Sequence, residues 1–368
     1  MKRIFTVLTS IALTFALSFS AAFANDDALI KSQNYLKTIT LDSPDAVIAY
    51  EATGMEADYK ADALLNNFKE TDYVSASYGD LAKSIIAISL LGENPKDFNK
   101  TNLVEILENR VQEDGTLTND VNGGCGATIW TLMALETVNS PKVKAVADKL
   151  SIMAMDNGAY WYEYQGQNAD LDTTGWAMEA LSVAGRSTYK AAISKAYTFV
   201  QSKLNSTDGY YDNWGGNADT QSCVLEGLSV AGYTLDTNAY NYLLSYQNED
   251  GTFNALNYST GQLEPNAYAS VEGARALGVI NNGSFVLMAR RDYTNTTTPV
   301  VTEPETPTTP TTPSTTTPAV KPETTTTEPK KETVKVVNTG DNTNVMAYVV
   351  AAIAAVGVIV LVIKSKKK

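Results

Sequence analysis

A fifteen-residue segment occurs twice in this chain, and that recurrence restricts the fold more than any other feature. Leu171 to Gly185 returns as Ala218 to Gly232, 47 residues on, with Asp-Thr near each start and Leu-Ser-Val-Ala-Gly at each end. A third copy, Val271 to Gly278, is read 46 residues further along, and shorter copies stand at Thr128–Leu135 and Lys83–Ile88. A fixed period of this size means one helical hairpin per repeat, each covering the apolar face of the next.

Within each repeat one segment is apolar nearly all round and the other is amphipathic. Thr173–Ala184, rich in Ala and stopped by Gly185, is of the first kind. Tyr189–Leu204, where Ala192, Ala196, Phe199 and Val200 interleave with Lys190, Lys195 and Lys203, is of the second. The pattern predicts inner helices near 44–54, 78–91, 126–138, 173–184, 220–231 and 266–277. Outer partners precede them near 27–38, 58–69, 102–112, 142–155, 188–204 and 237–247. The expectation is an all-α domain over 25–292, an α/α toroid of about six helical-hairpin repeats, with an open solenoid as the alternative. Cys125 and Cys223 fall on inner helices two repeats apart, beyond disulfide reach, so free buried thiols are expected.

Both ends of the chain carry export features. Lys2 and Arg3, an apolar run and Ala22-Phe23-Ala24 form a signal peptide over 1–24. Residues 293–335 are Thr, Pro, Glu and Lys with almost nothing to bury, a disordered stalk. Beyond it come Val336-Val337-Asn338-Thr339-Gly340, nineteen apolar or small residues over 345–363, and the basic tail 364–368. Nineteen helical residues span about 28 Å, enough for a transmembrane helix. The order resembles a sortase sorting signal, with Val336-Val337 in place of Leu-Pro. That resemblance implies joining of Thr339 to cell wall peptidoglycan on a Gram-positive-type surface, after the membrane has held the chain. A plain single-pass anchor is the alternative.

Charge and composition remove several functions. The net charge of −13 becomes about −18 once the leader's two positive charges and the net three beyond Thr339 are gone. Such a surface repels phosphate backbones, so nucleic acid is not a partner. The chain has no His, which removes the commonest metal ligand and the usual neutral-pH base, so no metal and no cofactor are expected.

The loops carry a more specific pattern. Gln112-Glu113-Asp114-Gly115, Asp156-Asn157-Gly158, Asp208-Gly209 and Gln247-Asn248-Glu249-Asp250-Gly251-Thr252-Phe253 sit between outer and inner helices. Gln-x-x-Asp-Gly-x-aromatic ahead of a helix ending in Ala-Leu resembles the repeat of the terpenoid cyclase and protein prenyltransferase superfamily. Squalene cyclases, thioester domains and transcobalamin-type carriers are its relatives. The catalytic sets which that resemblance implies are incomplete. The cyclase acid Asp-x-Asp-Asp reads Asp170-Leu171-Asp172-Thr173, and the zinc set of the prenyltransferases lacks its His. The thioester motif reads Gly124-Cys125-Gly126-Ala127-Thr128, with Thr128 where Gln is needed.

Two groups of residues remain as candidates. Asp172, Trp176 and Glu179 share one helix face, Asp219, Cys223 and Glu226 repeat it, and Glu272 continues it. Asp172 and Asp219 also suit helix N-caps. The glutamates either bond to backbone of the neighbouring repeat or line a cavity, where Glu179 and Glu226 would approach glycosidase spacing. The loop aromatics Tyr160, Trp161, Tyr162, Tyr164, Tyr210, Tyr211, Trp214, Phe253 and Tyr258 are expected at one rim of the toroid, and with Trp130 and Trp176 of the inner helices they supply the expected ligand-binding residues. The reading they support is a surface module binding a glycan or small molecule. A carboxylate-dependent glycan hydrolase or lyase, a divergent cyclase or transferase, and a structural adhesin or spacer are the alternatives.

Overall fold

A run such as Ile129–Leu135 leaves a helix no polar face, so it is stable only between other helices. The computed structural model describes residues 26–57, 62–120, 123–162, 168–213, 215–291 and 293. These residues form an all-α fold of 13 helices and two short hairpins. The segments expected as signal peptide, sorting motif, apolar span and basic tail, and the expected stalk beyond Tyr293, lie outside the described residues, as do Tyr164 and Trp214. Among the described residues no helix is long and apolar enough to cross a membrane.

The helices come in pairs. They are α1 (Asp26–Leu36) with α2 (Pro44–Ala52), α3 (Asp62–Glu70) with α4 (Tyr78–Leu90), and α5 (Leu103–Glu108) with α6 (Cys125–Thr137). Then come α7 (Val143–Met153) with α8 (Leu171–Gly185), α9 (Lys190–Ser202) with α10 (Ala218–Val230), and α11 (Thr237–Leu244) with α12 (Ala267–Asn282). The short α13 (Phe285–Ala289) follows. The second helix of each pair is the buried one. Every residue of α6 from Thr128 to Thr137 is buried, whereas α9 buries Ile193, Ala196, Phe199 and Val200 and leaves Lys190 and Lys195 in solvent. Each expected helix is present, with its ends shifted by a few residues.

The inner helices touch in cyclic order. α2 packs on α4, α4 on α6, α6 on α8, α8 on α10, α10 on α12, and α12 on α2. The α8–α10 contact is the closest: a Cβ on Gly175 would strike the Cys223 carbonyl, and one on Gly227 would strike Gly175. Cys125 and Cys223, with α8 between their helices, are both buried and unpaired.

The Asp-Gly and Asn-Gly loops make the same sequence of contacts one layer out. Gly115, Gly158, Gly209 and Gly251 all have positive φ, between 80° and 90°. Their α-carbons press on backbone at Ala145, Lys195, Asn238 and Lys31. The first three sites are on the outer helix that follows, and the fourth is on α1. Gln247 Nε2 reinforces that last contact by donating to Ala28 O and Ser32 Oγ, both at 2.9 Å.

Helix caps fix the register between repeats. Asp170, Asn217 and Asn266 cap α8, α10 and α12, each accepting from the backbone N–H three residues on. The cap spacing is therefore 47 and then 49, not the 46 expected for the last copy. Four residues past each cap stand Thr174, Gln221 and Ser270, which accept the backbone N–H of Tyr160, Tyr211 and Phe253. Asp172 and Asp219 are not caps; they sit two residues past them.

The loops ahead of α8 and α12 are longer than a turn. β1 (Tyr160–Trp161) pairs with β2 (Ala169–Asp170), and β3 (Phe253–Asn257) pairs with β4 (Gln262–Asn266), both antiparallel. The sequence pattern gave no warning of either hairpin.

Candidate functional site

Counting from the caps identifies what faces the middle. Six residues past each cap stand Ala49, Lys83, Trp130, Trp176, Cys223 and Glu272. Nine past stand Ala52, Ile86, Met133, Glu179, Glu226 and Arg275. Arg275, not Glu272, is thus the equivalent of Glu179 and Glu226.

The upper level opens into a cup of about 1020 Å³. Its floor is Lys83, Trp130 and Trp176. The two indoles meet edge to face at 5.7 Å, and Lys83 Nζ lies 4.6 Å from the Trp130 ring while pairing with Asp45 at 2.9 Å. One wall is the loop 73–77. Arg110 holds it by donating to the carbonyls of Tyr73, Val74 and Ala76 at 2.7–2.8 Å. Tyr78 OH donates to Thr118 O at 2.6 Å and ties that wall to the next loop. Tyr162 and Tyr268 stand at the lip, 63% and 56% exposed. The residues beside the cup start α4, α6 and α12, so it opens at the N-terminal ends of the inner helices.

The lower level is filled. Arg275 Nε donates to both oxygens of Glu226, at 3.1 and 3.0 Å, and Glu272 lies 3.8 Å from its Nη2. Glu179 Oε1 accepts from Ser284 Oγ at 2.7 Å. Phe285 stacks under Trp130, centroids 6.3 Å apart and planes 25° from parallel.

Burial dominates the electrostatics of the inner helices. Glu179 is held well above the usual carboxylate range by burial and then by the neighbouring Glu226. Burial raises Glu272 to about 8, partly offset by Arg275. It raises Asp172 to about 7, with the Asp170 charge adding to it. Asp219 is raised by burial as well. Burial pushes the Cys125 thiol to about 12, which removes it as a nucleophile at neutral pH.

The expected site residues separate accordingly. Trp130 and Trp176 meet at the cup floor. Glu179 and Glu226 bond neither to neighbouring backbone nor to open space; their partners are the side chains of Ser284 and Arg275. Asp172 accepts from Asn213 Nδ2 at 3.4 Å, and neither it nor Asp219 lines the cup. Tyr160, Tyr211 and Phe253 are fully buried and not at a rim, because their backbone bonds to the inner helix turn the rings into the layer between helices. Trp161 is buried too, its indole N–H donating to Gly123 O at 3.3 Å, and Tyr210 packs on Tyr242 at 5.5 Å. Lys83, Tyr78, Arg110 and Tyr268 were not anticipated. For Lys83 a signal existed: it stands at the cap-plus-six position shared with Trp130 and Trp176.

No protein-family model and no curated protein sequence matches the chain. Among solved structures, a crystal structure of a protein from Actinoplanes is similar with a TM-score of 0.43 and 13% identity, covering 75% of this chain and 99% of that one. No residue role transfers at that distance.

Proposed function

We propose that the chain is a surface-displayed α/α toroid of six helical hairpins whose cup binds a glycan or another ring-bearing small molecule without transforming it. The cyclic order of inner-helix contacts supports the toroid, since an open solenoid has no reason to bring α12 against α2. The observation that carries the binding reading is the aromatic floor. Trp176 offers ring surface at the base of a cavity of about 1020 Å³, backed by the buried Trp130, and polar loops surround it. A cavity of that size suits a small ligand, and aromatic faces suit the C–H faces of sugar rings. The expected carboxylates Glu179 and Glu226 are turned elsewhere, with Glu226 committed to Arg275 and Glu179 to Ser284, and the cup's own carboxylates are Asp80 and Asp120. In this reading the signal Asn338-Thr339-Gly340 is cut after Thr339, Thr339 joins the domain to peptidoglycan, and the stalk lifts the cup outward.

The test is a glycan-array screen with the full-length chain, followed by calorimetry on hits. Tyr162→Ala, Tyr268→Ala and Trp176→Ala should each weaken binding by roughly 1 kcal/mol, about fivefold. Unchanged affinity in all three variants rejects the cup as the binding site. Turnover of a bound glycan rejects the non-catalytic reading.

A further inference from the structure

The charged side chains around the cup differ in what they leave for a ligand. Lys83 and Arg110 are the cations among the described residues that line it. Lys83 Nζ stands at the floor, but Asp45 holds it at 2.9 and 3.1 Å, so the floor carries an ion pair and not a bare cation. Arg110 is spent on backbone. Its Nη1 donates to Ala76 O and its Nη2 to Tyr73 O and Val74 O, at 2.7–2.8 Å, with the Tyr78 ring 5.5 Å from the guanidinium carbon. A guanidinium used in this way offers no open fork for a carboxylate or phosphate.

The wall carries the opposite sign. Asp80 and Asp120 both line the cup. Asp80 is exposed, Ser77 Oγ donates to its Oδ2 at 2.7 Å, and among the described residues it forms no ion pair. With Asp45 counted, carboxylates outnumber cations here, on a chain whose net charge is already −13. An ionised carboxylate accepts hydrogen bonds and donates none, so Asp80 and Asp120 suit ligand hydroxyls or an ammonium group. An acidic group on the ligand would give up its water and meet like charges.

We infer that the cup selects saccharides without acidic groups. The ring of an uncharged or amine-bearing sugar lies on Trp176, its hydroxyls donate to Asp80 and Asp120, and the Lys83–Asp45 pair offers one donor and one acceptor to a neighbouring pair of hydroxyls. Uronic acids and phosphorylated sugars are turned away by charge and not by shape. The inference rests on the reading of the cup as a glycan site, and it names the class of glycan.

The test uses matched probes on the full-length chain. Each neutral saccharide that binds in the array is titrated beside the same saccharide with its primary hydroxyls oxidised to carboxylates, in low and high salt (about 20 mM and 0.5 M). The oxidised form should bind about tenfold more weakly in low salt, and high salt should close most of that gap. The double variant Asp80→Asn with Asp120→Asn should close it in low salt as well, while weakening the neutral form severalfold. An oxidised form that binds as tightly as its parent overturns the inference. So does a gap that neither salt nor the double variant changes, because that gap reports a lost hydroxyl contact and not charge. If the double variant does not fold, the salt dependence decides alone. Array hits confined to acidic glycans, weakened by Trp176→Ala, overturn this inference and leave the cup as the binding site. An array without hits overturns both.

Discussion

Arg275 is about 1% exposed, and its carboxylate neighbours are Glu226 and Glu272. A buried charge is tolerated only when partnered, so removing one member leaves the rest uncompensated. Arg275→Met should cost about 3–5 kcal/mol in guanidinium denaturation, and adding Glu226→Leu should recover part of that loss. The pH dependence has a definite sign. Asp172 rises from 3.8 to about 7 and Glu272 from 4.5 to about 8 on folding. Below pH 4 both states hold these protons. Between about pH 4 and 8 the unfolded chain releases them and the folded chain keeps them, so stability falls as pH rises. Each retained proton contributes a slope of about 1.4 kcal/mol per pH unit within its window. The denaturation midpoint should therefore be higher at pH 5 than at pH 8, and Glu272→Gln should flatten the curve. A midpoint that rises over this range contradicts the assignment.

At the scale of elements, the Asp-Gly loops turn a sequence motif into packing. Gly158 has φ of 90° and rests on the Lys195 backbone in α9, whereas Gly92 has φ of 78° and nothing within 4 Å. Gly92→Ala should cost only the left-handed penalty, about 1–2 kcal/mol. Gly158→Ala adds a steric clash that α9 must yield to, for about 1–3 kcal/mol more. Thermal melts of the two variants check the difference. These loops were legible because Asp-Gly or Asn-Gly recurs between an outer and an inner helix, and the helices because most keep one kind of apolar pattern over two turns or more. The register of α12 was not legible. Residues three apart share a helix face, so a slip from 49 to 46 leaves the apolar pattern almost intact while exchanging Arg275 for Glu272. The loops hid the rest. An aromatic ahead of an inner helix reads the same whether its ring lines a mouth, as Tyr162 does, or a core, as Tyr160 does. The short α13 follows Gly283 with too few residues to show a period.

For the whole molecule, the decisive property is that its first and last repeats are neighbours. Gly251 rests on Lys31, Gln247 bonds to Ala28 and Ser32, and α12 packs on α2. These are the same kinds of contact that join interior repeats. In an open stack each terminal unit has one neighbour and frays, so protection declines toward both ends. In the closed ring proposed above, every inner helix has two neighbours and no unit is terminal. Native-state hydrogen exchange on the full-length chain should therefore give α2 and α12 opening free energies close to those of α6 and α8. A seam substitution should also behave as an interior one does. Gly251→Leu and Gly209→Leu replace equivalent loop glycines, on Lys31 and on Asn238, and should destabilise the fold by similar amounts with a single cooperative transition. If Gly251→Leu is nearly silent, or if α1 and α2 exchange freely while the middle stays protected, the two ends do not hold each other in solution and the cup lacks one side of its wall.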